Sequence, residues 1–155
     1  MSAERALREN KIGALSLPKP LCVSPTTSLR EALAMVRKAG VGALVVVDRG
    51  KVVGLLTERD VLMKVVARGV DYGRQVKEFM TPNPVTMTRD RQITEAVALL
   101  KSEAFRHLPI VDDQGAPVAM LRMQDIIEYF AEAFPEEVLN LPPRPHQVPE
   151  TPEGA

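Results

Sequence analysis

Apolar and polar positions along this chain alternate in two different rhythms, and the whole sequence of rhythms occurs twice. Leu29, Ala32, Leu33 and Val36 recur at helical spacing and predict a helix over residues 28–39. Ile93, Ala96, Val97 and Leu100 do the same for residues 92–104. Ala43–Val47 and Leu108–Val111 are continuous apolar runs rich in β-branched residues, the composition of buried strands. A short turn leads from each run to a second apolar run, Val52–Leu56 and Pro117–Leu121, at a distance that suits a hairpin. Further helices are predicted over residues 58–67 and 123–134.

A shift of 64 positions superposes the two halves: Ile12 on Val76, Leu15 on Phe79, Pro18 on Pro82, Pro20 on Pro84, Glu31 on Glu95, and Asp48 on Asp112. After one additional residue in the second turn the shift is 65, aligning Val53 with Val118, Leu56 with Leu121 and Asp60 with Asp125. Register held over such a length means duplication. Pro18 and Pro20, like Pro82 and Pro84, hold the segment before the first helix extended, because a residue preceding proline avoids helical geometry. Each copy therefore reads β-α-β-β-α. The predicted division is a charged helical lead-in at 1–11, a first motif at 12–68, a polar connection at 69–75, a second motif at 76–140, and a Pro-rich tail from 141. Five of the thirteen prolines fall in that tail, which is expected to be mostly extended or disordered.

The 155 residues are 45% hydrophobic and 26% charged, the balance of a globular protein. Twenty basic and twenty acidic side chains cancel, a poor electrostatic footprint for nucleic acid. No apolar run approaches the ~20 residues that span a bilayer. Nothing at the N-terminus reads as a secretory signal, so a cytoplasmic location is expected and no membrane partner. Cys22 is the single cysteine, and of the two histidines His146 belongs to the tail. A zinc site of His and Cys ligands or a hydrolytic triad is nearly excluded by that count. The composition favours a binding protein over an enzyme, and no nucleophile with a paired base is found.

The repeat resembles a tandem pair of CBS domains, the module first named for cystathionine β-synthase. The likeness is carried by Phe79-Met80-Thr81-Pro82, by Arg106-His107-Leu108-Pro109-Ile110-Val111-Asp112, and by Val53-Gly54-Leu55-Leu56-Thr57-Glu58-Arg59-Asp60, over about residues 10–134. The resemblance implies an α+β fold in which two β-α-β-β-α motifs pack by their sheets as a pseudo-twofold pair with two clefts between them. It also implies a regulatory module that requires no cofactor. Adenosine-containing ligands (AMP, ADP, ATP or S-adenosylmethionine) would enter the clefts, a partner protein would read the response, and pairs would associate as dimers.

Carried over by that resemblance, Thr57 and Asp60 stand at the positions that contact a ribose. The same Thr-x-x-Asp pattern also makes a helix-capping box, and the two roles are compatible because a hydroxyl both donates and accepts. In the second copy Arg122 replaces the threonine ahead of Asp125. Arg122 is either an anion clamp or the ion-pair partner of Asp125, and it places ordinary nucleoside binding there in doubt. Arg106 and His107 have only Gly42 and Ala43 as counterparts, so the basic pair is expected to face a phosphate in one cleft, taken as the one carrying Asp125. Arg59 is a further candidate, as are Leu17, Met80 and Thr81 for an apolar wall against a base, with core packing the alternative for Leu17 and Met80. Surplus apolar residues on the helices, including Val61, Leu62, Met63, Val65 and Val66, predict a homodimer interface. Phe130, Phe134, Val138 and Leu139 with the tail are candidates for docking an effector. The competing reading is a constitutive interaction scaffold with degenerate, unoccupied clefts.

Overall fold

The stretches that lead into each motif, around Pro18 and around Pro82, do not stay with their own half; they cross to the other. The computed structural model describes residues 2–102 and 106–136. In chain order the elements are α1 (Ala3–Glu9), β1 (Cys22–Val23), α2 (Leu29–Ala39), β2 (Ala43–Asp48), β3 (Lys51–Thr57) and α3 (Glu58–Asp60), then β4 (Thr81–Pro82), α4 (Ile93–Ser102), β5 (His107–Val111), β6 (Pro117–Arg122) and α5 (Met123–Ala133). The Pro-rich tail, with Val138 and Leu139, lies outside the described residues.

β2 and β3 form an antiparallel hairpin with Leu44 opposite Leu56; β5 and β6 repeat it with Leu108 opposite Leu121. β1 adds alongside β2 in parallel, and the single parallel bridge from Met87 to Ile110 is its counterpart. The outer edge of β3 is then covered by β4, which comes from the second copy: Gly54 pairs with Pro82 and Leu55 with Thr81. Reciprocally, the Met120 amide on β6 donates to the Pro18 carbonyl of the first copy. The exchange repeats at the helix starts. Leu29 N–H donates to Arg74 O and Ile93 N–H to Asn10 O; Val76 N–H donates to Thr27 O and Ile12 N–H to Arg91 O. Each pair maps onto the other by the shift of 64, so a pseudo-twofold axis relates the halves.

The packing follows the same division. One apolar cluster gathers Leu29, Leu44, Val46, Leu56 and Val65 of the first motif, and another gathers Ile93, Leu108, Ile110, Leu121 and Ile126 of the second. A third, Ala43, Val45, Leu55 and Met120, takes residues from both copies and joins the sheets face to face. Helix α1 packs on α4, burying Ala6 among the second motif's residues. The fold is thus α+β with the two motifs as a pseudo-twofold pair, as the resemblance implied.

Two local departures matter. The helix expected over 58–67 is α-helical only for Glu58–Asp60; Val61–Val66 is π-helical, with Ala67 N–H donating to Leu62 O and Val70 N–H to Val65 O, five residues back. Its second-copy counterpart α5 remains α-helical. At Gly54 a β-carbon would lie 2.1 Å from Met80 Sδ, so glycine is required there by the thioether crossing over it. The second copy has Ala119 and Ser16 at the matching positions: where the larger side chain is lost from one strand, the methyl appears on the other.

Candidate functional site

The strand-to-helix junction of each motif is where the chain must satisfy the free amides of a helix N-terminus. In the first motif Thr57 is the N-cap. Its Oγ1 accepts from the Asp60 amide at 3.1 Å, while Asp60 Oδ2 accepts from the Thr57 amide at 3.0 Å and from Thr57 Oγ1 at 3.1 Å. The other carboxylate oxygen, Oδ1, lies 3.1 Å from Lys64 Nζ, and Lys64 also donates to the Phe79 carbonyl. Three donors therefore fix the Asp60 carboxylate, whose side chain retains 13% exposure. Because a carboxylate has about four acceptor sites, one on Oδ1 is left for a further donor. The capping box thus leaves its acid with one open acceptor site.

This junction opens into a cavity of about 410 Å³ lined by Thr57, Glu58, Arg59 and Asp60 on one side and by Thr81, Asn83, Pro84 and Val85 on another. Gly42 and Leu55 form its floor, and Arg106 with His107 close it from the second motif. The size is that of a small-molecule site. Arg106 and His107 therefore line one cavity with Thr57 and Asp60, to which the expected partition of the clefts does not assign them. They also line a second space beside Arg122, so the basic pair stands between the two junctions. Gly42 makes that approach possible: a β-carbon there would sit 2.9 Å from Glu58 Oε1 and 3.1 Å from His107 Nε2. Burial, helped by the nearby Arg122 and Arg106 guanidinium groups, pushes the His107 pKa below its ordinary value. The imidazole is accordingly neutral at pH 7.

The second junction is built differently. The Arg122 amide and Nε donate to Asp125 Oδ2 at 2.8 and 3.1 Å, and Nη2 donates to Oδ1 at 2.7 Å. Asp125 is 8% exposed and lines no described cavity. Of the two readings of Arg122, the ion pair is the one formed. The carboxylate of this half is taken up by the guanidinium three residues before it. Beside it lies a second cavity, about 530 Å³, lined by Gly42, Glu58, Leu100, Arg106, His107, Arg122, Met123 and Gln124.

Of the remaining candidates, Arg59 and Thr81 line the first cavity, whereas Leu17 and Met80 do not. Leu17 packs against the second motif's apolar cluster and Met80 against the first, over Gly54, so both serve the core. Cys22 is a free thiol on β1 whose pKa is raised by burial, away from the reactive range. Six lining residues of the first cavity escaped the sequence reading as site candidates: Gly42, Leu55, Glu58, Asn83, Pro84 and Val85. Asn83 adopts a left-handed backbone (φ 48°), unusual outside glycine, and Pro84 and Val85 follow it into the cavity wall. The Pro-Asn-Pro run from 82 to 84 was the available signal.

A tandem β-α-β-β-α pair with a ligand-sized cavity across its axis defines a class of paired binding modules. The chain belongs to the CBS domain family, whose sequence pattern matches residues 5–67 and 76–132. An uncharacterised protein of Methanopyrus kandleri is 31% identical over 137 residues, covering 85% of this chain and 70% of its own. Among solved structures, CBSX2 in complex with AMP is 26% identical with a TM-score of 0.69, covering 80% of this chain and 98% of that one. The CBS domain pair of MJ0100, in complex with 5-methylthioadenosine and S-adenosyl-L-methionine, is likewise 26% identical with a TM-score of 0.69, over 80% and 98% of the two chains.

Proposed function

We propose that this protein is a regulatory module that senses an adenosine-containing ligand in the first cavity and passes the signal to another protein. The observation that carries the reading is the meeting of Thr57 and Asp60 from one motif with Arg106 and His107 from the other around a single cavity. The open site on Asp60 Oδ1 can accept from one ribose hydroxyl and the remaining lone pair of Thr57 Oγ1 from its neighbour. Arg106 and His107 supply donors for a phosphate across the cavity, and Pro84 with Val85 offers apolar surface to a base. The ligands bound by the two related pairs, AMP in one and adenosine sulfonium and thioether compounds in the other, support the same chemistry. Since the cavity wall comes from both motifs, a ligand that fits one relative angle better than another shifts the pair toward that angle. We place this action in the cytoplasm, where adenine nucleotides are abundant; no described helix is long and apolar enough to cross a membrane.

The deciding measurement is calorimetric titration of the full chain with AMP, ADP, ATP and S-adenosylmethionine. One equivalent of at least one of these is expected to bind per chain. The same ligand at 100 times its dissociation constant should stabilise the fold by about 2.7 kcal/mol. No heat and no thermal shift with any of the four would leave the scaffold reading in its place. The Arg122–Asp125 pair favours that second reading for the second half alone.

We further propose that the module is a homodimer. The surplus apolar surface narrows to the closing helices: Leu62, Met63 and Val66 are 58%, 56% and 51% exposed, and Ile127, the twofold mate of Leu62, is 55% exposed. Met35, Val36 and Val97, by contrast, pack against the cores. Light scattering should give twice the chain mass, and Leu62→Lys with Ile127→Lys should return it to the monomer mass; a monomeric wild type overturns this.

A further inference from the structure

Gly42, Glu58, Arg106 and His107 line both cavities. The basic pair from β5 is therefore a partition shared by two spaces, with Thr57 and Asp60 on one side and Arg122 on the other. Resting on the nucleotide reading above, we propose that the two cavities form one groove selective for phosphate-chain length. The nucleoside sits at Thr57 and Asp60, its first phosphate at Arg106 and His107, and further phosphates extend toward Arg122, so that a nucleoside triphosphate is preferred to a monophosphate.

Three features of the groove carry this. First, hydrogen-bond donors suited to phosphate follow one another along it. Arg106 and the His107 imidazole stand at the shared wall and Arg122 beyond, while the acids in the second cavity's lining reduce to Glu58. Second, Arg122 has capacity to spare. A guanidinium has five N–H donors; Asp125 takes one from Nε and one from Nη2, leaving three. Its side chain is 34% exposed and lines the cavity, whereas the Asp125 carboxylate, 6% exposed, lies behind it. A phosphate can meet the free face without displacing the ion pair. Third, the wall over Gly42 is made by the ends of two side chains that line both spaces. Glu58 Oε1 and His107 Nε2 lie 2.9 and 3.1 Å from where a β-carbon would stand, and such ends can turn aside for a ligand. The neutral state of His107 in the ligand-free protein fits the same arrangement, because an anion placed between His107, Arg106 and Arg122 would favour its protonation.

The test is calorimetric titration of the full chain with AMP, ADP and ATP in metal-free buffer, repeated on Arg122→Gln, Arg122→Lys and Glu58→Gln. Affinity is expected to rise from AMP to ATP by about tenfold or more, the scale of one charge-assisted contact. In Arg122→Gln the advantage of ATP should shrink to about twofold while AMP keeps its affinity. Arg122→Lys, which keeps the charge, should retain most of the preference. Glu58→Gln removes the opposing acid and should widen the gap between ATP and AMP, an arm that does not depend on how well Arg122→Gln folds. Equal affinity for all three nucleotides in the wild type overturns the proposal and leaves the nucleotide reading standing. So does an Arg122→Gln variant that weakens all three by one factor. Absence of binding by all three removes both.

Discussion

Asp60→Ala is expected to weaken AMP binding by about tenfold to 100-fold, the loss of one hydrogen bond to a charged acceptor at about 1.5–3 kcal/mol. The acid is well placed for so large an effect because it does not have to be ordered on binding. Thr57 holds it through two bonds and Lys64 through a third, and Lys64 is itself anchored on the Phe79 carbonyl. The same bonds make the variant ambiguous on its own, since losing a capping box costs about 0.5–2 kcal/mol of stability. Asp125→Ala is the matched control. It breaks the equivalent junction of the second motif, where the carboxylate is occupied by Arg122 and lines no described cavity. Calorimetry should find AMP affinity within about twofold of wild type in Asp125→Ala, although that variant melts lower. If the two alanine variants weaken AMP alike, Asp60 acts through the fold and its assignment to the ligand fails.

The duplication, the order of elements and the fold class were legible because burial imposes a period on each element and the period survives in the sequence. Leu44, Leu56, Leu108 and Leu121 are fully or nearly fully buried where the pattern placed strands. The first junction was legible too, since Thr57 and Asp60 are three residues apart and make contacts that local spacing dictates. What could not be read was anything that depends on the partner half. Pro18 and Thr81 sit on the sheet of the opposite motif, and no periodicity within one copy reveals an exchange that leaves every period unchanged. For the same reason Arg106 and His107 were assigned to one cleft alone, when they line the cavity of Thr57 and Asp60 as well as the one beside Arg122. The π-helical stretch at Val61–Val66 was equally hidden: its apolar residues suit an α-helix, and only the hydrogen bonds tell the two apart.

One asymmetry ties the site together. Starting from two equal copies, the first retains a hydroxyl residue before its aspartate and carries no charge at Gly42 and Ala43, while the second has Arg122 before Asp125 and the basic pair Arg106 and His107. Across a twofold axis these differences act in concert. The cation pair of the second copy complements the free acid of the first, and the absent side chain at Gly42 admits it. Had the basic pair stood in the first copy instead, it would have faced a carboxylate already neutralised by Arg122.

If a guanidinium is what fills the second ribose position, removing it should restore a site. Arg122→Thr recreates in the second motif the Thr-x-x-Asp pattern of the first and leaves Asp125 with the acceptor capacity that Nε and Nη2 now consume. The helix should tolerate the change. Threonine is a favoured N-cap, worth about 0.5–2 kcal/mol over a residue with no capping oxygen, and it offsets part of the lost ion pair. The ligand to test is adenosine rather than AMP, because the change restores the ribose contacts at Asp125 and adenosine asks for no phosphate contact from the shared basic pair. Titration should show adenosine stoichiometry rising from one equivalent per chain in the wild type to two in Arg122→Thr. Arg122→Leu, which frees Asp125 but supplies no hydroxyl, should gain the second equivalent more weakly. A folded Arg122→Thr that still takes one adenosine means the second half is closed by something other than its arginine, and the pairing with Asp125 would then be a structural bond alone.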